Sequence, residues 1–151
     1  IKGIKNAIEF TNATLSQENL EINFSEPREE IYVQGSEFIQ DLFENLLLNS
    51  VKHNTRDKKK ISVEIKKEII KEKPYHKIII KDNGVGIADE LKGKLLSAEV
   101  HLINSKEGLG IGLTIVRKII ELSRGKFRIK DRVEGEPSKG TRVEVLLPKQ
   151  E

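Results

Sequence analysis

The chain has 151 residues and no Cys, enough length for one domain that buries about two-thirds of its unfolded surface and a composition that excludes disulfide staples and thiolate metal sites. Its 27 basic and 24 acidic residues leave a net charge of only +3, and no aromatic stacking platform accompanies the excess, so a nucleic-acid partner is not expected. No apolar run reaches the length of a membrane span and no signal peptide is present, which favours a soluble, cytoplasmic setting.

Residues 4–18 carry a partial apolar stripe, Ile4, Ala7, Ile8 and Leu15, and predict a first helix. Leu20–Phe24 and Glu30–Val33 flank Pro27 and read as two strands or a hairpin at a sheet edge. Gly35-Ser36 then supplies a helix start ahead of Glu37–Lys52. Ile61–Lys71 and Tyr75–Lys81 alternate or run apolar around Glu72-Lys73-Pro74, predicting a hairpin whose solvated side holds the Lys and Glu residues. Ala88–Glu107 starts like a helix and loses periodicity near Ser97–Ser105, the pattern of a mobile lid. Gly112–Arg124 is again helical, with Gly125 in the position after the helix end. The strands Phe127–Val133 and Thr141–Leu147 close the chain around a turn rich in Gly, Pro and Ser. Abundant Lys, Glu and Ile without Met or Trp resembles a thermophile's composition.

The second helix has two faces. At 100° per residue, Ile39, Leu42, Phe43, Leu46, Leu47 and Val51 fill one broad arc, while Asn45, Asn49 and Lys52 lie within roughly 60° of one another elsewhere. An Asn amide oxygen is a neutral hard ligand suited to Mg²⁺ that already carries phosphate oxygens, and a nearby Lys can neutralise those phosphates as a point charge.

Two glycine-rich stretches follow. Asp82-Asn83-Gly84-Val85-Gly86-Ile87 comes directly after the apolar strand Ile78-Ile79-Ile80. A carboxylate at a strand end can accept a hydrogen bond from an exocyclic adenine amine, with Gly84 and Gly86 letting the chain turn beside the base. Gly108-Leu109-Gly110-Ile111-Gly112-Leu113 opens a helix whose unpaired N–H groups and dipole favour anionic phosphates. Its spacing is neither that of a dinucleotide fingerprint nor that of a P-loop. Ser138-Lys139-Gly140-Thr141 begins the last strand and could bring a hydroxyl to the same pocket.

In this order the segments resemble the N, G1 and G2 boxes and the closing Gly-Thr strand of sensor histidine kinase catalytic domains, within the GHKL ATP-binding superfamily. The resemblance covers roughly residues 1–148. It implies an α/β fold: a two-layer sandwich, with a mixed β-sheet and about three helices on one face. It also implies ATP and Mg²⁺ as ligands. Asn45 and Asn49 would hold Mg²⁺–ATP, Lys52 would contact phosphate, His53 would lie along the adenine where the family often has Tyr, and Asp82 would bind the adenine amine. Gly84, Gly86, Gly108, Gly110 and Gly112, with Ile87, Leu109, Ile111 and Leu113 in the same boxes, would shape the pocket and the lid hinges, and Thr141 would lie near the base.

By the same resemblance, residues 1–151 form a single catalytic domain of a longer, homodimeric protein, as the start at Ile1 rather than Met also suggests. The rest of that protein could include a membrane anchor. The γ-phosphoryl would pass to a His on a separate dimerisation hairpin and then to a response regulator. His53, His76 and His101 are followed by Asn, Lys and Leu, not by the acidic residue that neighbours the family's phosphoacceptor. In the superfamily's ATPases a Glu stands four residues before the metal-binding Asn. Here that position relative to Asn49 is Asn45, and Glu44 lies about 100° away around the helix, which favours kinase over ATPase chemistry. One departure stands out: Ala88–Glu107 lacks the Phe-rich F box, with Leu95, Leu96 and Leu102 as substitutes. Alternative readings are a GHKL serine kinase, against which the Asn45/Asn49 pair weighs, and a nucleotide-sensing interaction module.

Overall fold

The computed structural model describes residues 1–33, 35–95 and 110–150. Along them run helices α1 (Lys2–Thr14), α2 (Ile39–Lys52), α3 (Asp89–Leu95) and α4 (Gly110–Leu122), and strands β1 (Leu20–Ser25), β2 (Lys59–Ile70), β3 (Lys73–Asp82), β4 (Lys126–Asp131) and β5 (Thr141–Pro148). Short 3₁₀ turns occupy Ser36–Phe38 and Pro137–Lys139.

Helix α2 forms because its apolar residues recur at helical spacing. Leu42, Phe43, Leu47 and Val51 are each no more than 1% exposed, and burying a side chain of this kind contributes about 1.5–3 kcal/mol. Asp41 in its first turn and Lys52 in its last complement the helix dipole. Strand alternation supplies the opposing surface: Ile61 and Val63, Ile78 and Ile80, and Val145 and Leu147 meet Ile4 and Ala7 of α1 and Val116, Ile119 and Ile120 of α4 in one core. Helix α2 is the middle of this layer, touching α1 and α4.

The sheet order is β1-β2-β3-β5-β4. Strand β1 pairs with β2 in parallel and the other pairings are antiparallel, so the mixed sheet with helices on one face agrees with the expected architecture. The β1 and β2 strands can be parallel because α2 lies in their connection. Glu30–Val33 therefore does not form a hairpin with β1: the chain leaves the edge after Pro27 to begin that crossover, and Val33 makes an isolated bridge to Lys149.

Two turns also differ from expectation. Ile70 pairs with Lys73, so Lys73 and Pro74 already belong to β3 and the turn is Lys71-Glu72, with φ of 46° and 64°. Two left-handed residues give the turn whose twist matches that of its strands. At the end of α4 the left-handed residue is Arg124, φ 53°, not Gly125. Gly125 is required for a different reason: a Cβ there would stand 2.6 Å from the Leu146 carbonyl oxygen of β5.

The sheet's other face is closed by charge. Ile79 and Leu146 are fully buried there, beside Glu144, which pairs in register with Ile79. The Glu144 carboxylate, itself 1% exposed, is met by Arg142 at 2.8 Å, Arg128 at 3.3 Å and Lys130 at 3.5 Å. Glu68 is held by Lys77 at 2.7 Å and Arg128 at 3.0 Å. Burial opposes ionisation of Glu144, but the bonds from Arg142 and Arg128 and the charge of Lys130 outweigh it and keep its carboxyl below the ordinary value. Arg128, then Lys77, pulls the Glu68 carboxyl from its ordinary 4.5 down to about 2.

A carboxyl depressed in the folded state contributes stability above its ordinary pKa and loses it as pH falls toward the folded value. Glu68→Gln should therefore flatten the fall in stability between about pH 4.5 and pH 2, followed by urea melts across that range. A slope unchanged from wild type would show that these ion pairs do not form in solution.

Candidate functional site

The C-terminal half of α2, the loop after β3 and the strands beneath them enclose a cavity of about 270 Å³, near the lower end of the 300–1,000 Å³ typical of small-molecule sites. Helix α2 contributes Leu46, Asn49, Ser50 and His53, the β3 loop contributes Asp82 and Val85 to Ala88, and Phe127, Ile129 and Val143 provide an apolar floor. Thr141 of β5, Leu91 of α3 and Leu113 of α4 complete the wall.

Asp82 ends β3 and is 9% exposed. Its Oδ1 accepts the N–H of Gly84 at 2.9 Å and of Thr141 at 3.2 Å. Burial pushes the Asp82 carboxyl above its ordinary pKa, partly offset by those two bonds and the charge of Arg132. The loop can lie this close to the strand ends only without side chains. A Cβ on Gly84 would sit 3.0 Å from Asp82 Oδ1; one on Gly86, φ +78°, would sit 1.7 Å from the Pro137 carbonyl oxygen. Gly140, φ +116°, likewise brings the start of β5 against the Asp82 backbone, where a Cβ would stand 1.9 Å from its carbonyl oxygen.

The expected α2 residues separate. Asn49 lines the cavity and its Nδ2 is buried with no hydrogen-bond partner among the described residues. His53, whose backbone N–H donates to the Asn49 carbonyl at 3.1 Å, lines it as well. Asn45 lies one turn before Asn49 on the same side of the helix, outside the cavity lining, and donates to the Asp41 carbonyl at 2.7 Å. Lys52 is exposed at the last turn, also outside the lining. Gly110, Ile111 and Gly112 form the first turn of α4. Gly108, Leu109, Leu96, His101, Leu102 and the expected mobile stretch Ser97–Ser105 lie outside the described residues.

The sequence expectations do not include a side-chain latch centred on Asn83. Asn83 Oδ1 accepts from Asn54 Nδ2 at 2.8 Å and from the Lys60 amide at 2.9 Å, while its Nδ2 donates to the Lys58 carbonyl at 2.9 Å. Arg56 donates to the Asn83 carbonyl at 3.2 Å and to the Ser138 carbonyl at 2.7 Å, tying the loop to the turn before β5. Asn54 is 3% exposed. The available signal was Asn83 itself, an amide between a buried Asp and a Gly, the residue type that bonds its neighbours' backbone in turns.

The sequence profile of the HATPase_c family, described as histidine kinase-, DNA gyrase B- and HSP90-like ATPase, matches residues 34–151. The chain belongs to this family. Among HATPase_c relatives, the sensor histidine kinase YvrG of Bacillus subtilis is 29% identical over 150 residues, which are 97% of this chain and 24% of that protein. The sensor protein kinase PmrB of Pseudomonas aeruginosa is 30% identical over 133 residues, 85% of this chain and 26% of that protein. The chain thus spans about a quarter of the length of these relatives. In fold it matches the catalytic domain of histidine kinase ThkA with a TM-score of 0.75 at 20% identity, covering 98% of this chain and 91% of that one. The mycobacterial sensor histidine kinase MprB gives 0.73 at 20% identity over 99% and 93% of the two chains. Among the described residues no helix is long and apolar enough to cross a membrane.

Removing the Asn83 amide leaves the buried Asn54 Nδ2 without its acceptor, at a cost of about 1–3 kcal/mol. Asn83→Ala should lower the melting temperature of this HATPase_c domain, and Asn83→Asp, which keeps Oδ1 but loses the donor to Lys58, should fall between it and wild type. An alanine variant that melts with wild type would mean that water replaces these bonds without loss.

Proposed function

We propose that residues 1–151 act as the ATP-binding catalytic domain of a two-component sensor histidine kinase, positioning Mg-ATP for transfer of its γ-phosphoryl to a His on a separate dimerisation hairpin of the same protein. A response regulator receives the phosphoryl group next, and the full-length protein works as a homodimer with this domain in the cytoplasm. The observation that carries the reading is the buried, backbone-anchored carboxylate of Asp82 in the same cavity as the unpartnered amide of Asn49.

Adenine fits the apolar floor of Phe127, Ile129 and Val143, with Leu46 and His53 along it. The two backbone bonds to Asp82 fall on Oδ1, which leaves Oδ2 to accept the exocyclic amine and to discriminate against guanine, whose carbonyl would face a carboxylate. Thr141, Gly84, Gly86 and Ile87 keep the wall close to the base, and Leu113 packs against Ile129 beneath it. The phosphates lie toward the N-terminus of α4, where Gly110, Ile111 and Gly112 offer backbone N–H groups and the helix dipole attracts anions. Lys52 adds a cation there.

The donor chemistry suits Mg²⁺ brought in with the nucleotide. Among the described residues no three His, Cys, Asp or Glu side chains converge, and the hard donors on offer are the amide oxygens of Asn49 and Asn45. When bound, Mg²⁺ supplies neutralisation of the developing phosphate charge. This chain's own task is positioning, which is most of what phosphoryl transfer demands. Glu44 is turned to Gln40, 2.7 Å away, and lies outside the cavity lining, an arrangement that supports transfer over hydrolysis.

Calorimetric titration with ATP, ADP and GTP, each with and without Mg²⁺, tests the reading directly. Adenine nucleotides should bind and GTP should not; Asp82→Asn should weaken ATP binding at least about tenfold, equivalent to about 1.4 kcal/mol, and Asn49→Ala should abolish the Mg²⁺ enhancement. Equal affinity for ATP and GTP, or an unaltered Asp82→Asn variant, would sink the assignment.

The pH dependence has a definite sign as well. Nucleotide that donates to Asp82 selects its ionised form, so affinity should drop on acidification with an apparent pKa above the ordinary carboxylate value, in line with the raised carboxyl. ADP affinity measured by the same titration from neutral pH downward should show this drop in wild type and lose it in Asp82→Asn. A flat wild-type profile across that range contradicts the contact.

A further inference from the structure

Helix α3 spans only Asp89–Leu95, and an isolated helix that short is not stable in water. Its position must come from what it touches. Leu91 and Ile87 pack, as Phe127 does, against the Leu113–Ile129 cluster, which places both at the base end of the cavity. The next residue, Lys92, reaches from α3 to Asp131 at the end of β4. Lys92 and Asp131 side chains are 13% and 12% exposed, so the pair is largely shielded from water. Lys92 also meets Asp89 at 2.7 Å, but that carboxylate is 83% exposed and an ion pair in open water contributes little. Asp131 is no arbitrary anchor, because it pairs in register with Thr141, whose N–H is one of the two holding Asp82.

We propose that the Lys92–Asp131 ion pair is the positioning contact that holds α3, and with it Leu91 and Ile87, against the base end of the nucleotide cavity. This rests on the nucleotide reading above. A largely shielded ion pair has one short-range optimum and a penalty when either partner is left alone, so it fixes where the helix sits more sharply than apolar packing alone. Burial opposes charge on Lys92, yet its ammonium is held above the ordinary value by Asp131 and Asp89, so it stays a cation throughout the neutral range. Neither Lys92 nor Asp131 lines the cavity, which makes their effect on affinity indirect.

The test uses the chain as it stands, with Lys92→Met, Asp131→Asn, the charge exchange Lys92→Asp with Asp131→Lys, and Lys92→Arg. ADP affinity is read by calorimetry and amide hydrogen exchange is followed without nucleotide. The expected result is about tenfold weaker ADP binding in each neutralised variant, recovery toward wild type in the charge exchange and in Lys92→Arg, and faster exchange confined to residues 89–95. Wild-type affinity and wild-type exchange in Lys92→Met would overturn the proposal. So would acceleration spread equally over the whole sheet, which would make the pair merely structural. If wild type itself bound no adenine nucleotide, the reading of the site would fail. The exchange arm would then still decide the contact: local acceleration at residues 89–95 supports it and its absence overturns it.

Discussion

Two backbone amides, from Gly84 and Thr141, converge on one oxygen of Asp82, and the geometry around the cavity follows from that junction. It joins the end of β3, the loop beyond it and the start of β5 through a carboxylate that burial would otherwise disfavour. The close approaches at Gly84 and Gly140 are what bring those amides within reach. A Cβ at either glycine would press on Asp82 itself. The glycines are thus required for the assembly of a polar junction as well as for space beside a ligand.

Helix α2 ties this junction to the rest of the molecule. Its apolar arc forms the centre of the core, and its remaining surface turns Asn49 and His53 toward the cavity. Stability and site geometry therefore share one rigid element. A large-to-small change such as Leu47→Ala would be felt in the position of Asn49 as well as in the melting curve. HATPase_c membership accounts for the fold; the chemistry proposed for it depends on a handful of polar groups held by that shared helix.

Much of the architecture was legible because it is periodic. The 3.6-residue repeat in Ile39–Val51 and the alternation in Ile61–Ile65 report local geometry, and both needed only near neighbours to be read. Asp82 and Asn49 were candidates by residue type, Thr141 as a hydroxyl opening the last strand and His53 through the family resemblance, and the four do come to one cavity, whereas Asn45 and Lys52 stand outside its lining and Gly108 and Leu109 outside the described residues. What the sequence could not disclose depends on partners far along the chain. Gly86 is shaped by Pro137 and Gly125 by Leu146. Asn83 is latched by Asn54 and Lys58, and Lys92 is matched to Asp131. Nor could β-propensity in Glu30–Val33 reveal that the chain was leaving the sheet for a crossover.

The two faces of the sheet are sealed by different forces. Beneath the helices the seal is apolar burial, whose contribution weakens in the cold and levels off on heating. Above Ile79 and Leu146 it is a mesh of carboxylates and cations around Glu144 and Glu68. The cost of dehydrating such charges falls as temperature rises. The two sides of this one layer therefore respond to heat differently, and the ionic side gains relative strength in the range where the apolar side has none left to add.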